Sequence, residues 1–396
     1  MTLRKVEDLP IQKGDRVLVR VDYNIPVNEE GLITDDSRIT GTLETLNHLL
    51  DKGAVPIILA HWDRPQGERK EEMSLARVIR ELEMLLDKPV NFLAEVLGES
   101  TEAAIEAGHP GEIFLLENLR FHPGERGNDP EFTKHLASYG SYYVNDAFPV
   151  SHRAQSSVSL LPNLFDAPAA GFSLAREFSY FEKVLLAPEH PYVIIIGGKK
   201  IHDKVAALRR LLRNGVDQIL MGGSSAMTVQ AARGKPVGKS LIDENLVEEI
   251  DDIADSEKIK LPVDYVTAPS PEVDGNAAVV AADKIPDNYK ALDIGPETAK
   301  RFEKSILDSR TVVWLGPLGV YEKEAFAQGS LNIARSMAKV TKTGTLTVTG
   351  GGETLAMIGK FGLKDKLSHV SIGGGACLAF LEGKDLPGIM PLIKRS

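Results

Sequence analysis

Residues 193–200 read Val193-Ile194-Ile195-Ile196-Gly197-Gly198-Lys199-Lys200. An apolar, largely β-branched run that is bounded by turn residues is typical of a strand buried on both faces of a parallel sheet. The second half of the chain repeats this pattern, with apolar runs that end in glycine at residues 219–223, 312–316, 346–352 and 370–375. Open α/β sheets bind ligands beyond the carboxyl ends of their strands. These glycines therefore predict a site where backbone amides approach phosphates closely.

The apolar runs in the first half of the chain end differently. They occupy residues 17–24, 57–64 and 113–120, and each delivers an arginine, a histidine or an acid at its end. Guanidinium groups suit a phosphate monoester, because their planar forks bind oxygens in pairs and keep their charge at physiological pH. The first half therefore predicts a second site, which grips a small anion through arginine side chains.

Segments with helical spacing separate the apolar runs, for example at residues 44–50, 76–86 and 204–212. Alternating strand and helix patterns predict right-handed βαβ units and hence parallel sheets. We therefore expect an α/β fold of two doubly wound parallel-sheet (Rossmann-like) lobes joined by a helix hinge. The predicted limits are 1–172 for the N-terminal lobe, 173–188 for the connecting helix and 189–383 for the C-terminal lobe. One continuous domain is the alternative, and it would need an unusually large sheet.

The composition is that of a large acidic protein. Its 396 residues carry 46 Lys and Arg against 56 Asp and Glu, which gives a formal net charge of -10. General nucleic-acid binding normally needs a basic face, so no nucleic-acid partner is expected. The single cysteine, Cys377, rules out an internal disulfide and a thiolate zinc cage. The sequence has no signal-peptide core and no apolar stretch near about 18 residues, so we expect a cytoplasmic protein without a membrane partner.

Six segments together resemble a known family. They read Arg20-Val21-Asp22-Tyr23-Asn24-Ile25-Pro26, Asp35-Asp36-Ser37-Arg38, Glu117-Asn118-Leu119-Arg120-Phe121-His122-Pro123-Gly124-Glu125, Val144-Asn145-Asp146-Ala147-Phe148, Leu292-Asp293-Ile294-Gly295-Pro296 and Gly373-Gly374-Gly375-Ala376. In order and spacing they are similar to the signature segments of the phosphoglycerate kinase family. The resemblance extends from near the first residue to near the last.

The resemblance implies a reversible transfer of the ATP γ-phosphoryl group to the carboxylate of 3-phosphoglycerate, which gives 1,3-bisphosphoglycerate and ADP. It implies an N-terminal lobe that binds 3-phosphoglycerate, a C-terminal lobe that binds ATP or ADP with Mg²⁺, and hinge closure. It also implies a monomer whose residues 384–396 pack back on the first lobe. Two alternatives stay open: a divergent paralogue that phosphorylates a related carboxylate, and a non-catalytic ligand-binding relative.

The expected acceptor site lies in the first half. By resemblance, its substrate-binding residues are Arg20, Asp22, Asn24, Arg38, His61, Arg64, Arg120 and Arg153. The arginines would hold the phosphate, and the acid and the amide would orient the substrate hydroxyl, since a carboxylate accepts and an amide can donate or accept. The alternative for each arginine is a solvated residue or one half of a salt bridge.

The expected nucleotide site lies in the second half. By resemblance, its residues are Lys200, Lys204, Gly222, Glu322, Gly351, Gly352, Glu353 and Thr354, and the catalytic set is Arg38, Lys200, Lys204, Gly373 and Gly374. Lys200 and Lys204 would share one face if a helix begins there. Glu353 stands where the family has a shorter acid, and we expect it to be the Mg²⁺ ligand. Two alternatives remain: the glycines form only tight βα connections, and Glu353 only caps a helix beginning near Thr354.

Overall fold

The computed structural model describes residues 2–394 and divides into two compact units. Unit 1 contains the described residues up to Ser179 together with those from Asp385 onward, and unit 2 is Tyr180–Lys384. The division falls within one helix, α7 (Phe172–Leu186). The lobe limits that the sequence predicts stay predictions.

Unit 1 is built on a parallel sheet of six strands in the order β3-β4-β2-β1-β5-β6. The strands are β1 (Arg16–Arg20), β2 (Val55–Leu59), β3 (Asn91–Leu93), β4 (Phe114–Leu116), β5 (Tyr142–Asn145) and β6 (Ala169–Ala170). The helices before α7 are α1 (Ser37–Thr40), α2 (Leu43–Asp51), α3 (Ile79–Leu86), α4 (Glu99–Glu106), α5 (Pro123–Gly127) and α6 (Pro130–Ala137). Apolar side chains of β1 and β2 form the core with the buried faces of α2 and α3.

The end of the chain belongs to the same unit as its beginning. The amide of Arg4 donates to the carbonyl of Leu392 at 2.8 Å, and Leu3 and Ile393 form an antiparallel bridge. Further in, the Asn145 Nδ2 donates to the carbonyl of Gly388 at 2.8 Å. These contacts join Gly388 to the carboxyl end of β5 and residues 392–393 to Leu3 and Arg4.

Unit 2 contains a second parallel sheet of six strands, in the order β15-β14-β13-β7-β8-β9, and a three-stranded antiparallel sheet, β11-β10-β12. The strands are β7 (Tyr192–Ile196), β8 (Gln218–Met221), β9 (Ile259–Lys260), β10 (Asp264–Ala268), β11 (Ala278–Ala281), β12 (Lys290–Ile294), β13 (Thr311–Leu315), β14 (Leu346–Gly350) and β15 (His369–Val370). The helices are α8 (Val205–Arg213), α9 (Gly223–Ala232), α10 (Asp251–Ala254), α11 (Pro296–Leu307), α12 (Gln328–Thr341), α13 (Gly352–Lys360) and α14 (Gly374–Leu381).

The register of this sheet gathers the glycine-ended strands at one edge. Ile196 at the end of β7 pairs with Leu315 of β13 and with Met221 of β8, and Leu315 pairs with Gly350 of β14. The strand order reverses between β7 and β13, and this is where open α/β sheets bind ligands. The glycine-ended runs therefore converge, as the sequence predicts.

Most of the predicted elements are confirmed, with two differences. The apolar runs at 17–24, 57–64, 113–120 and in the second half each contain a strand. However, the segment 76–86 begins as a 3-10 helix, Leu75–Val78, and continues as α3, and the antiparallel sheet of unit 2 has no counterpart in the sequence prediction. The helices in residues 2–394 include none with the length and apolar character that a membrane crossing needs.

A buried carboxylate caps the start of α7. The Asp146 Oδ1 accepts the amide of Leu174 at 2.9 Å, and its Oδ2 accepts the Thr45 hydroxyl at 2.7 Å. Thr45 in turn accepts the amide of Phe172 at 2.9 Å. These bonds satisfy donors of the first helical turn that have no partner within the helix. Burial raises the pKa of Asp146 to about 7, although its hydrogen bonds favour the ionised form.

We expect Asp146 to make unit 1 less stable as the pH rises from about 4 to about 7. In this window the folded protein keeps a proton on Asp146 that the unfolded chain releases, so the free energy of unfolding falls, by on the order of 4 kcal/mol in total. Asp146→Asn removes this part of the dependence. Urea unfolding of both proteins at about pH 4.5 and pH 7.5 measures the difference. Parallel pH profiles for the two proteins would contradict the prediction.

Candidate functional site: an arginine cluster and two glycine-lined pockets

The polar residues that follow β1 and β2 lie together in unit 1. The Asp63 amide, in the turn after β2, donates to the Asn24 Oδ1 at 2.8 Å, and the Asn24 amide lies 3.2 Å from the Asp22 Oδ1. His61 Nδ1 lies 3.7 Å from the same carboxylate oxygen. The structure therefore brings Asp22, Asn24 and His61 to one edge of the sheet.

Arg38 reaches this edge from the short helix α1. Its Nη1 lies 2.5 Å from the Asp22 Oδ2 and donates to the carbonyl of Asn24 at 2.9 Å. The side chain is 25% exposed, and these contacts use only Nη1. A guanidinium has five N–H groups, so the Nε and Nη2 donors of Arg38 stay available for an anion.

Three other arginines surround the same edge with unused donors. Arg120 is buried, and its Nη1 donates to the carbonyl of Asp63 at 2.6 Å, but its buried Nε has no hydrogen-bond partner in the described residues. Arg64 is exposed and Arg153 is half-buried. Within residues 2–394, neither of these two side chains has a hydrogen bond or an ion pair.

The electrostatics of this arginine cluster (Arg20, Arg38, Arg64, Arg120 and Arg153) favour an anion. Burial lowers the pKa of Arg120 to about 10, and repulsion from Arg153 and Arg20 adds to the effect. Burial also lowers the pKa of Arg153, and Arg64 lowers it further. Like charges thus disfavour one another, and a bound anion would relieve this repulsion.

Two residues that sequence reasoning did not assign position the cluster. Asn118 is fully buried, and its Nδ2 donates to the carbonyl of Trp62 at 2.8 Å while its Oδ1 accepts the amide of Trp62 at 3.2 Å. Glu117 accepts the amide of Leu75 at 2.9 Å and the Ser74 hydroxyl at 2.7 Å. Asn118 thus holds the start, and Glu117 the end, of the segment 62–75, which carries Arg64. The available signal is a pair of polar residues, Glu117-Asn118, directly after an apolar run.

In unit 2, a first pocket of about 300 Å³ opens beside the carboxyl ends of β7 and β8 and the first residues of β12. Apolar side chains form much of one wall, among them Met227, Leu292 and Val320, and the exposed Glu322 lies at the same pocket. A planar heterocycle with an attached sugar suits a pocket that combines apolar walls with one acidic group. The resemblance implies that Glu322 contacts the ribose of the nucleotide, and this stays a prediction.

A second pocket of about 350 Å³ adjoins the first, since Lys199 and Glu353 line both. Its lining contains the predicted residues Lys200, Lys204, Gly351, Gly352, Glu353, Thr354 and Gly374. Gly351 has φ +98°, which favours glycine, and it directly precedes α13. Free amides at the start of α13 and the helix dipole suit a phosphate group here.

The lysines of the second pocket are arranged differently from the expectation. Helix α8 begins at Val205, and a 3-10 turn, His202–Lys204, precedes it, so Lys200 and Lys204 do not share a helical face. Instead the Lys204 ammonium group donates to the carbonyl of Lys200 at 3.0 Å. Burial lowers the pKa of Lys204, while the nearby Glu353 and Asp203 oppose that shift.

Two predicted glycines serve the geometry of the pockets and do not line them. A Cβ at Gly222 would lie 2.5 Å from Leu318 Cδ2, which makes this position one of close packing. The Gly373 amide donates to the Ser371 hydroxyl at 3.0 Å. Gly374 and Gly375, at the start of α14, line the second pocket instead.

The second pocket also fits a magnesium ion that arrives with a nucleotide. Across residues 2–394, no three His, Cys, Asp or Glu side chains form a ready-made metal cage. Mg²⁺ usually keeps several waters and uses one or two carboxylates plus the phosphates of the substrate. Glu353, with Asp203 in the same lining, supplies that kind of donor set.

The fold and these features define a class, that of α/β phosphotransferases, with an arginine cluster in one parallel-sheet unit and a glycine-lined pocket in the other. A family model for phosphoglycerate kinase matches residues 6–384. The phosphoglycerate kinase of Moorella thermoacetica is 46% identical over 395 residues, which cover 98% of this chain and 99% of that protein. The enzyme of Thermosynechococcus vestitus is 43% identical over 385 residues, 96% of each chain.

Solved structures agree with the sequence comparisons. The structure of phosphoglycerate kinase from Coxiella burnetii matches with a TM-score of 0.86 and 35% identity, and covers 99% of both chains. The crystal structure of the Pyrococcus horikoshii enzyme matches with a TM-score of 0.87 and 28% identity over 98% of both chains. The chain belongs to the phosphoglycerate kinase family.

We expect Gly197→Ala to destabilise unit 2. A Cβ at this position would lie 2.1 Å from the carbonyl oxygen of Pro317, so the ends of β7 and β13 would have to move apart. Overpacking of this kind typically costs about 1–3 kcal/mol, and a fall in Tm of several degrees follows. Gly275→Ala is the control, because no atom lies within 4 Å of its added Cβ. Equal calorimetric Tm values for the two variants would contradict the assigned close approach.

Proposed function

We propose that this chain catalyses the reversible transfer of the ATP γ-phosphoryl group to the carboxylate of 3-phosphoglycerate, with the arginine cluster as the acceptor site and the two pockets of unit 2 as the nucleotide site. The family membership supports the reaction. The observation that carries the assignment of the acceptor is the set of unused guanidinium donors on Arg64, Arg120 and Arg153. Such donors suit a phosphate monoester.

The reaction needs positioning more than it needs acid or base chemistry. The attacking group is already a carboxylate, so no residue has to remove a proton from it. The transferred phosphoryl group carries charge on three oxygens, and enzymes of this kind stabilise that charge with fixed cations and amides. Arg38, Lys200 and Lys204 would supply the cations, and the amides at Gly374 and Gly375 would supply the dipoles.

Asp22 and Asn24 would orient the acceptor. The Asp22 carboxylate can only accept hydrogen bonds, so it suits the hydroxyl of 3-phosphoglycerate and repels a second anion. The Asn24 Oδ1 already accepts the Asp63 amide, so the NH₂ group of Asn24 would be the donor to a ligand.

Glu353 would hold magnesium together with the nucleotide phosphates and water. The ion, when bound, supplies charge neutralisation on the phosphates. Glu353 is the second residue of α13, so its carboxylate also lies beside the positive end of the helix dipole. Glu353 lines both pockets, which suits a residue that would hold a cation where the nucleoside and the phosphates meet.

The two alternative functions find less support. A non-catalytic relative would have no need of both Lys200 and Lys204 together with the whole arginine cluster. A divergent paralogue would be expected to change the acceptor site, and all eight predicted acceptor residues are present. The monomeric state and the cytoplasmic location stay predictions.

We expect Arg38→Ala to abolish most turnover and to leave nucleotide binding nearly unchanged. Loss of a charge-assisted contact in the transition state typically costs about 3 kcal/mol or more, which is on the order of a hundredfold in rate. A coupled assay measures kcat, and calorimetric titration with ADP measures the nucleotide Kd. Arg80→Ala is the control, because Arg80 is an exposed arginine of α3 outside the cluster. Near-normal turnover of Arg38→Ala would remove Arg38 from the catalytic set.

We expect Glu353→Gln to raise the magnesium concentration that gives half-maximal activity, because the amide is a much poorer ligand for Mg²⁺ than the carboxylate. Glu353→Asp should be tolerated, since the shorter acid can bind the ion directly or through a water. Activity is titrated against magnesium at a fixed nucleotide concentration.

The matched variant for this experiment is Asp203→Asn, in the same pocket. If Asp203→Asn shifts the magnesium dependence and Glu353→Gln does not, the metal ligand is Asp203. A lower melting temperature of Glu353→Gln with an unchanged magnesium dependence would leave Glu353 only the capping role on α13.

A further inference from the structure

Arg20 differs from the other members of the arginine cluster, because it is completely buried. Its Nε donates to the Ser157 Oγ at 2.8 Å, its Nη1 donates to the carbonyl of Val21, and its Nη2 lies 3.2 Å from His61 Nδ1. Each of its three nitrogens is thus engaged by the protein. The sequence predicts Arg20 as a substrate ligand, but this geometry suits a different role.

The hydrogen bonds around Arg20 have a fixed direction. The Ser157 hydroxyl lies 2.6 Å from the Glu125 Oε1, and the Ser157 amide donates to the Glu125 Oε2 at 2.9 Å. A hydroxyl has one proton. Ser157 gives that proton to the carboxylate and therefore accepts from Arg20. Glu125 and Ser157 are both fully buried, so water does not compete for these bonds.

The same reasoning fixes the proton on His61. A guanidinium carries only donors, so the contact between Arg20 Nη2 and His61 requires Nδ1 to accept. In a neutral imidazole with an accepting Nδ1, the proton lies on Nε2. Asp22 Oδ1 lies 3.7 Å from Nδ1, beyond hydrogen-bond distance, and does not reverse this assignment.

The surroundings of His61 keep the ring neutral. Burial lowers the pKa of His61 well below its usual value. Four cations lower it further, namely Arg20, Arg120, Arg153 and Arg38, while Asp22 is the acid beside the ring. Protonation would also break the bond from Arg20, because both ring nitrogens would then be donors.

We propose that Arg20 is a positioning residue that holds His61 as the Nε2–H tautomer, so that His61 binds the acceptor substrate as an uncharged hydrogen-bond donor. This inference rests on the proposed function of the cluster as the site for 3-phosphoglycerate. A neutral donor adds direction to the site without adding another charge to the repulsion among the arginines. The chain of bonds from Glu125 through Ser157 to Arg20 is the support that fixes this donor, and Ser157 lies in a π-helical turn, Ser156–Leu160.

The tautomer can be measured directly on the unmodified protein. Nitrogen-15 NMR of histidine-labelled protein without ligand distinguishes protonated from unprotonated ring nitrogens, and His61→Gln assigns the His61 signals among the nine histidines. We expect Nε2 to be protonated, Nδ1 to be unprotonated and the ring to remain neutral well below about pH 6.5, the ordinary histidine pKa. Protonation on Nδ1, or titration of His61 near the ordinary value, would overturn the inference.

Variants of the support test the connection to binding. We expect Ser157→Ala to weaken binding of 3-phosphoglycerate about tenfold or more, which is the usual cost of losing a hydrogen bond to a charged group. In this variant both neutral tautomers of His61 should be populated. The nucleotide Kd should not change. Ser159→Ala is the matched control in the same turn, because the Ser159 hydroxyl bonds to Asn128 and Gln155 and not to Glu125, Arg20 or His61. Unchanged nitrogen-15 signals of His61 in Ser157→Ala would contradict the role of the Glu125–Ser157–Arg20 hydrogen bonds.

Two substitutions of His61 itself keep the proposal testable if Ser157→Ala does not fold. The glutamine amide nitrogen can occupy the position of Nε2, whereas the asparagine amide reaches only the position of Nδ1. We expect His61→Gln to bind 3-phosphoglycerate about tenfold more tightly than His61→Asn. Equal affinities would exclude a donor role for Nε2.

The experiments separate this inference from the proposed function. If the unmodified protein does not bind 3-phosphoglycerate, the proposed function of the cluster fails, together with the substrate role of His61. If it binds 3-phosphoglycerate and His61 carries its proton on Nδ1, only the role of Arg20 fails.

Discussion

Repulsion among guanidinium groups is the constraint on which the arrangement of unit 1 depends. Removing a charge from water costs several kcal/mol unless it is paired, and an anion site must nevertheless keep cations unpaired. In unit 1, acids compensate two of the arginines but leave donor groups of the cluster unused. Glu125 compensates the buried Arg20 through a serine hydroxyl, and Asp22 pairs with one nitrogen of Arg38. Neither acid uses the outward donors of the cluster, so the positive field survives at the edge of the sheet.

In the proposed function, unit 2 meets the same requirement with backbone dipoles in addition to lysine charges. Backbone amides have no side-chain entropy to lose and need no counter-ion, but they work only where the chain can approach a phosphate closely. The ends of β7 and β13 therefore pack so tightly that a Cβ at Gly197 would overlap a carbonyl oxygen. The Thr354 hydroxyl, which accepts the amide of Gly316 at 2.8 Å, secures the same junction from α13. Three lysines, Lys199, Lys200 and Lys204, and two acids, Asp203 and Glu353, line the second pocket beside these amides.

These two solutions explain what the sequence could predict. Continuous apolar runs with polar or glycine ends indicate the strands and the edge at which they converge, because a parallel sheet leaves little other use for them. The supporting roles of Asn118 and Ser157 could not be predicted, since their partners lie far away along the sequence. Asn118 directly follows an apolar run, but this position does not identify Trp62 as its partner. The antiparallel sheet of unit 2 was also not predicted, because β11 is largely exposed and does not end in glycine as the parallel strands do. For Arg20, the residue type correctly indicated a place in the arginine cluster. Only its complete burial in the structure distinguishes a positioning residue from a substrate ligand.

A carboxylate in an anion site repels the ligand, so its presence has to be explained. In the proposed function, Asp22 has two roles that explain it. Without substrate, it partly neutralises Arg38 and so reduces the cost of holding the cluster together. With substrate, it can only accept, so it favours a ligand that places a hydroxyl there and opposes one that places a second negative oxygen there. In the proposal for Arg20, the neutral His61 then donates where a further cation beside the five arginines would be repelled. In the proposed function, selectivity for a hydroxylated phosphate ester over free phosphate would thus follow from the balance between the arginines, one acid and one uncharged donor.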